Sequence, residues 1–130
     1  MNTKLIMTAT AILLSGIGIC LSFAADEIMV SLSISTTLIA RLTRQLMGAM
    51  YYAFAILNWM VKGAIIGGIY NRPIAVANFT HFFIGGIVLT KEVLTNHQST
   101  AIISILAGTY MLMTGVFGFM ISRQPRKTAA

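Results

Sequence analysis

Four apolar segments follow one another along the chain, and each is long enough to cross a lipid bilayer. They cover residues 5–24, 38–62, 73–91 and 100–122. A transmembrane helix needs about 20 mainly apolar residues to span roughly 30 Å of hydrocarbon. A lone strand in lipid would leave its backbone hydrogen bonds unmade, so each segment is predicted to be an α-helix. The pattern therefore predicts an all-α fold, an integral membrane bundle of four transmembrane helices that forms one domain over residues 1–130.

The composition excludes a soluble globular domain. Charged residues make up 9% of the 130 residues and hydrophobic residues 57%, whereas soluble domains carry roughly 25% charged residues. The net charge of +6 does not indicate a nucleic-acid partner, because the basic residues lie between the apolar segments, as they do in membrane proteins. We therefore expect the lipid bilayer as a partner and the cell membrane, the inner membrane in a bacterium, as the location.

Two stretches near the N-terminus leave alternatives open. Lys4, the apolar run and the small residues ending at Ala24 are also typical of a cleavable signal peptide. The apolar run is longer than the roughly 7–15 residues usual in a signal peptide, which favours a retained span.

Residues 28–35 alternate apolar residues with serine in the period of a strand. Since a strand in lipid needs partners, this segment is predicted to be a short interfacial helix or a re-entrant segment, with Asp26 as N-cap.

The distribution of Lys and Arg predicts the orientation. With four spans, both termini lie on one side of the membrane. That side would hold Lys4, Lys62, Arg72, Arg123, Arg126 and Lys127, and the opposite side Arg41, Arg44 and Lys91. Because Lys and Arg accumulate in cytoplasmic loops, both termini are predicted to be cytoplasmic.

Two asparagines lie at matching depths in the second and third segments. Asn58 comes four residues before Lys62, and Asn78 comes five residues after Pro73, which places both amides about 6–8 Å inside the same end of a helical hairpin. Two such amides can hydrogen-bond to each other and hold transmembrane helices together. We expect a structural clamp; the alternative is that they line a polar cavity.

His81 is predicted near the middle of the third span, where an ionisable group suggests a functional site. One interpretation is a neutral imidazole hydrogen-bonded to Tyr51, Tyr52 or Thr114; the others are a proton relay or substrate contact, and haem or metal ligation. No carboxylate or cysteine shares its level to complete a metal site. Asn78 lies three residues earlier on the same face, so both should point into the bundle. Asn58, Asn78, His81 and Tyr51 form the predicted polar intramembrane site.

Arg41 and Arg44 lie three residues apart on one face at the start of the second span. Long basic side chains at such a position extend to the headgroup layer, where they can contact lipid phosphate. We therefore predict that both arginines contact lipid headgroups, and simple extension towards water is the alternative.

Small residues recur within the apolar segments, where close backbone contact lets transmembrane helices associate. They include Gly16, Gly18, Gly48, Gly85, Gly86, Gly108, Gly115 and Gly118. Packing within one bundle explains them. The alternative is that one glycine-bearing face forms a homodimer seam.

The sequence lacks the usual signatures of a catalytic site. It contains no Gly-x-Ser-x-Gly, no phosphate-binding glycine loop, no Cys-x-x-Cys and no His-Glu-x-x-His motif. We therefore predict no intrinsic catalysis, no cofactor and no metal, and a structural or accessory role in a homo-oligomer or beside a membrane partner subunit. The alternative is permeation of a small solute or ion through a polar site at Asn58, Asn78 and His81.

The arrangement of motifs resembles that of a known group. The second segment opens with Arg41-x-x-Arg44-Gln-Leu-Met-Gly48-Ala49-x-Tyr51, and the third carries Gly85-Gly86 after a polar start. In this layout the chain resembles the small, mostly uncharacterised four-helix bacterial membrane proteins that include the DoxX-like proteins. The resemblance covers most of the chain in topology. It implies a four-helix membrane bundle with an accessory role beside a partner, and it supplies no catalytic residues.

Overall fold

The structure, a computed structural model, describes residues 2–24, 26–27, 30, 37–63, 71–96 and 99–122. It contains four long helices: α1 (Thr3–Phe23), α2 (Leu38–Val61), α3 (Arg72–Thr95) and α4 (Ala101–Ser122). None of the described residues forms a β-strand. The predicted all-α fold with four helices is confirmed.

Short polar residues begin two of the helices. The side chain of Asn2 accepts a hydrogen bond from the backbone nitrogen of Leu5, and the Thr37 hydroxyl accepts one from that of Ala40 at 3.2 Å. Each bond satisfies a backbone donor that the first helical turn leaves without a partner. Helix α3 begins with Pro73 in its first turn, where a residue without an amide hydrogen costs no helical hydrogen bond.

Helices α1, α3 and α4 are long and apolar enough to cross a membrane. Helix α2 is as long as α3, at 24 residues, but it is not among these candidates. It carries Arg41, Arg44, Gln45 and Asn58, and these polar side chains lower its mean hydropathy. The predicted span at residues 38–62 is therefore a helix whose crossing of the membrane stays a prediction.

The chain divides into two compact units, Met1–Ala64 and Ile65–Ala130. In the first unit, α1 packs against α2. Gly18 lies beside the backbone of Tyr52, and Gly48 lies beside that of Ser22, so the two helices run antiparallel. The buried residues of α1 recur at spacings of three and four, the pattern of a helix that buries one stripe; they are Met7, Thr10, Ala11, Leu14 and Gly18.

Two glycines bring α1 and α2 into backbone contact. A Cβ atom on Gly18 would lie 2.9 Å from the carbonyl oxygen of Gly48, and one on Gly48 would lie 2.8 Å from both the Gly18 oxygen and the Ser22 nitrogen. No larger residue fits at either position without moving a helix. These glycines therefore serve packing within the first unit, as the first interpretation of the small residues predicts.

In the second unit, α3 packs against α4 through aromatic rings. The ring of Phe82 stacks on that of Phe117, with centroids 5.8 Å apart, and meets that of Tyr110 edge-on at 5.1 Å. Gly85 leaves room for this arrangement, because a Cβ there would lie 2.6 Å from Cε1 of Tyr110. Phe82, Tyr110 and Phe117 are fully buried and form the centre of this unit.

Several predictions fall on residues outside the described ranges. Within the predicted interfacial segment, residues 28–35, Val30 alone is described, and it is helical. The basic residues after Ser122 also lie outside. Asp26, predicted as an N-cap, is described: its carboxylate accepts a hydrogen bond from Nε of Arg41 at 3.1 Å.

Candidate functional site

Asn58 is fully buried in the first unit. Its Nδ2 donates to the carbonyl oxygen of Phe54, four residues earlier on α2, at 2.8 Å. Thr10 on α1 is also fully buried, and its hydroxyl donates to the carbonyl oxygen of Ile6 at 2.9 Å. Both side chains thus use their own helix to offset the cost of burying a polar group.

Asn78 is fully buried in the second unit and makes the equivalent bond. Its Nδ2 donates to the carbonyl oxygen of Ile74 at 2.9 Å. Asn58 and Asn78 thus share the same local geometry, each donating back one turn along its own helix. Since they belong to different units, the predicted amide clamp between them stays a prediction.

His81 lies against α4. Its Nε2 is 3.4 Å from the hydroxyl of Tyr110, a long hydrogen bond, and the two ring centroids are 5.6 Å apart. The ring also meets that of Phe82 edge-on at 5.2 Å. The imidazole therefore contacts the aromatic centre of the second unit.

Tyr110 is the site residue that sequence reasoning missed. Counting from the turn between α3 and α4 puts Thr114 opposite His81, and Thr114 was one of the hydroxyls expected to meet the imidazole. Instead, the Thr114 hydroxyl donates to the carbonyl oxygen of Tyr110 at 2.9 Å. Tyr110 lies one helical turn closer than Thr114 to the connection between α3 and α4. Its long side chain reaches His81. A search over one turn on either side of the matching depth would have found it.

Tyr51 shares a side of α2 with Asn58, because the two are seven residues apart. Its Cβ lies 3.3 Å from the position that a Cβ on Gly18 would take, so Tyr51 is at the contact with α1. Of the four predicted site residues, the structure thus places Tyr51 and Asn58 on α2 of the first unit, and Asn78 and His81 on α3 of the second.

Arg41 and Arg44 differ in their surroundings. Arg41 is exposed, and its Nε forms an ion pair with Asp26 at 3.1 Å. Arg44 is partly buried, and its Nε and Nη2 are shielded and have no hydrogen-bond partner among the residues that the structure describes. Buried hydrogen-bond donors of a charged group seldom lack a partner in folded proteins.

Two neighbouring grooves follow the α1–α2 contact. One, of about 510 Å³, is lined by Gly18, Ile19, Ser22, Phe23, Ala49 and Tyr52. The other, of about 370 Å³, is lined by Ala11, Ile12, Ser15, Tyr52, Ala55, Ile56 and Trp59. Tyr52 belongs to both, so the grooves adjoin. Their walls are mainly apolar and together extend along most of α1.

Within the described ranges, no group of three or more His, Cys, Asp or Glu side chains could hold a metal ion.

No protein-family model matches the chain, and no match is found among curated proteins or among solved structures. The resemblance to the DoxX-like group therefore stays a prediction, and the function rests on the geometry.

Proposed function

We propose that this chain is a small multi-pass integral membrane protein with a structural or accessory role and no catalytic activity of its own. The observation that carries the proposal is how its buried amides are used. Asn58 and Asn78 are fully buried, and each donates to a carbonyl oxygen of its own helix. Amides committed in this way stabilise helices in an apolar setting and have less capacity left for a substrate.

The outer surface of the helices supports insertion into a membrane. Large apolar side chains are exposed on all four helices, among them Ile12 at 64%, Leu46 at 68% and Ile105 at 70%. Isolated exposed apolar residues are normal in soluble proteins, but continuous apolar surface marks contact with lipid or protein. With three helices apolar enough to cross, lipid is the medium that fits this surface.

Packing supports α2 as a fourth span. Helix α2 contacts α1 at Gly18 near one end, and the groove from Ala11 to Ala55 continues the contact towards the other. A helix that follows a spanning neighbour along most of its length crosses with it. The polar start of α2, at Arg41 and Arg44, then lies at the level where α1 ends, in the headgroup layer.

Open glycines on α4 support a protein partner. A Cβ on Gly108 or Gly115 would meet no atom of the described residues within 4 Å, and both residues are exposed. They are seven residues apart and share one face of the helix. Because these glycines do not serve packing within the second unit, they are suited to close approach by another transmembrane helix, from a second copy or a partner subunit.

Permeation of a small solute or ion is the second candidate. The polar contact of His81 with Tyr110 favours it, because a pathway needs polar groups at membrane depth.

Affinity purification from detergent-solubilised membranes and flux measurement in liposomes separate the two candidates. The accessory role predicts a stoichiometric membrane partner, or a homo-oligomer, and no flux above that of empty liposomes. Flux that is abolished by Asn58→Ala or Asn78→Ala would support permeation and contradict the accessory role.

A further inference from the structure

Arg44 presents an unsatisfied edge of its guanidinium group. Its Nε and Nη2 are buried and have no hydrogen-bond partner within the part of the chain that the structure describes, and they lie on the same edge of the planar group. This edge donates two parallel hydrogen bonds and matches two oxygens of a phosphate or a carboxylate. An unpaired charge costs free energy when it is shielded from water, so an anion with two oxygens would relieve that cost.

The depth of Arg44 identifies where the anion would come from. Gly48 is level with Ser22, and Arg44 is one turn earlier on α2, about 6 Å further along the axis. Helix α1 ends at Phe23. With 21 residues, α1 is about 31 Å long, the thickness of the hydrocarbon layer. Arg44 therefore lies just beyond the hydrocarbon, at the level of lipid phosphates.

An apolar groove opens at this same end of the first unit. The groove of about 510 Å³ extends from Gly18 to Phe23 along α1 and is walled on α2 by Ala49 and Tyr52. Its lining is mainly apolar, which suits part of one lipid acyl chain.

Neighbouring charges leave Arg44 as the available cation. Asp26 already accepts from Arg41, and Glu27 is exposed to solvent. Among the described residues, Arg44 is the one whose guanidinium nitrogens are both buried and unpaired, and its long side chain can turn that edge towards the headgroup layer.

We propose that this end of the α1–α2 pair is a binding site for an anionic phospholipid. The phosphate accepts two hydrogen bonds from Nε and Nη2 of Arg44, and one acyl chain occupies the groove between Ile19 and Tyr52. This proposal rests on the membrane location proposed above. An unpaired guanidinium favours a phosphate whose charge is not offset by a cationic headgroup, and the groove favours a lipid over a free anion.

Lipid binding by the purified full-length chain in a neutral detergent tests the site. Native mass spectrometry would compare phosphatidylglycerol with phosphatidylcholine of the same acyl chains. We expect phosphatidylglycerol to bind at least about tenfold more tightly, because in phosphatidylcholine the choline cation offsets the charge of the phosphate. Arg44→Gln should bring that ratio to within about twofold, whereas the matched control Arg72→Gln, an exposed arginine of the second unit, should retain it. An unchanged ratio in Arg44→Gln would overturn the proposal.

A second pair of variants tests the groove. Ala49→Phe fills the groove and should weaken binding of both lipids, while Ala53→Phe, an exposed alanine of α2 outside the groove lining, should not. If Arg44→Gln fails to fold, Arg44→Lys keeps the charge but loses the fork, and it should lower the lipid preference.

Three results would contradict the lipid site. Glycerol phosphate that binds Arg44 as tightly as the lipid would make the groove irrelevant. A dimer that is lost in Arg44→Gln and is insensitive to lipid would assign the fork to a carboxylate of a second copy. Equal binding by Ala49→Phe and the unaltered chain would exclude the groove. Because the measurement uses micelles, its failure leaves membrane insertion unaffected.

Discussion

The hydroxyl of Tyr110 lies 3.4 Å from Nε2 of His81 and links α4 to α3 through side chains. Tyr110 is 1% exposed, so both the polar end of its side chain and its ring are enclosed. Replacing Tyr110 with Phe should retain the ring stacking and remove the contact. We expect a loss of stability of about 0.5–1.5 kcal/mol, measured by denaturant unfolding in micelles. In the Tyr110→Phe background, His81→Ala should lower the free energy of unfolding by less than it does in the unaltered chain. Strict additivity of the two substitutions would show that the contact contributes nothing to stability.

The sites of close backbone contact give a second prediction. Gly48→Ala would place a Cβ 2.8 Å from the backbone of α1, so the helices must move apart, which should cost about 1–3 kcal/mol. Gly16→Ala is the matched control, because a Cβ there meets no described atom within 4 Å. It should be neutral or stabilise the helix by up to about 1 kcal/mol. Equal stability of the two variants would contradict the observed packing of α1 against α2.

The positions of the helices were predictable from the sequence, because apolar length and polar boundaries depend on local chemistry. The second apolar segment is predicted to begin at residue 38, and helix α2 begins there with Thr37 as its cap. The far end of α3 was less predictable. It was placed at Lys91, yet the helix continues to Thr95. Charged residues mark the edge of an apolar segment, whereas a helix ends where its backbone hydrogen bonds end.

The contacts of the candidate site were less predictable than the helices. Depth counting predicts that His81 and Asn78 are intramembrane polar residues, but it could not determine that Tyr110 reaches the imidazole, since side-chain length and rotamer decide such contacts. The difference between Arg41 and Arg44 was equally hidden. Two arginines on one face look alike in a sequence, but Arg41 pairs with Asp26 and the guanidinium nitrogens of Arg44 are buried.

The amide clamp predicted from matching depths can be tested by a double-mutant cycle. Asn58→Ala and Asn78→Ala would be combined and the unfolding free energies compared. A hydrogen bond between the two amides predicts a coupling of about 0.6–2 kcal/mol. Each single variant also removes a bond to its own helix, at Phe54 and Ile74, but those losses cancel in the cycle. A coupling of zero would exclude the clamp.

Association through the open face of α4 is a separate prediction. Gly108→Ile and Gly115→Ile add bulk where nothing among the described residues lies within 4 Å, so folding of the second unit should be little affected. Co-purification of a partner, or the oligomer seen by cross-linking, should fall severalfold if this face is the contact. Thr109→Ile, on another side of α4, is the control. Unchanged association would place the partner elsewhere.

The central claim is that four helices cross the membrane with both termini in the cytoplasm. It is tested most directly by single-cysteine accessibility in intact cells, after Cys20→Ser removes the native thiol. The account predicts that a membrane-impermeant thiol reagent labels Glu27→Cys and Asn96→Cys, and that Gly63→Cys is labelled only in inverted vesicles. Reporters fused after Lys127 should accordingly read cytoplasmic. Labelling of Gly63→Cys from the same side as Glu27→Cys would show that α2 does not cross the membrane and would contradict the account.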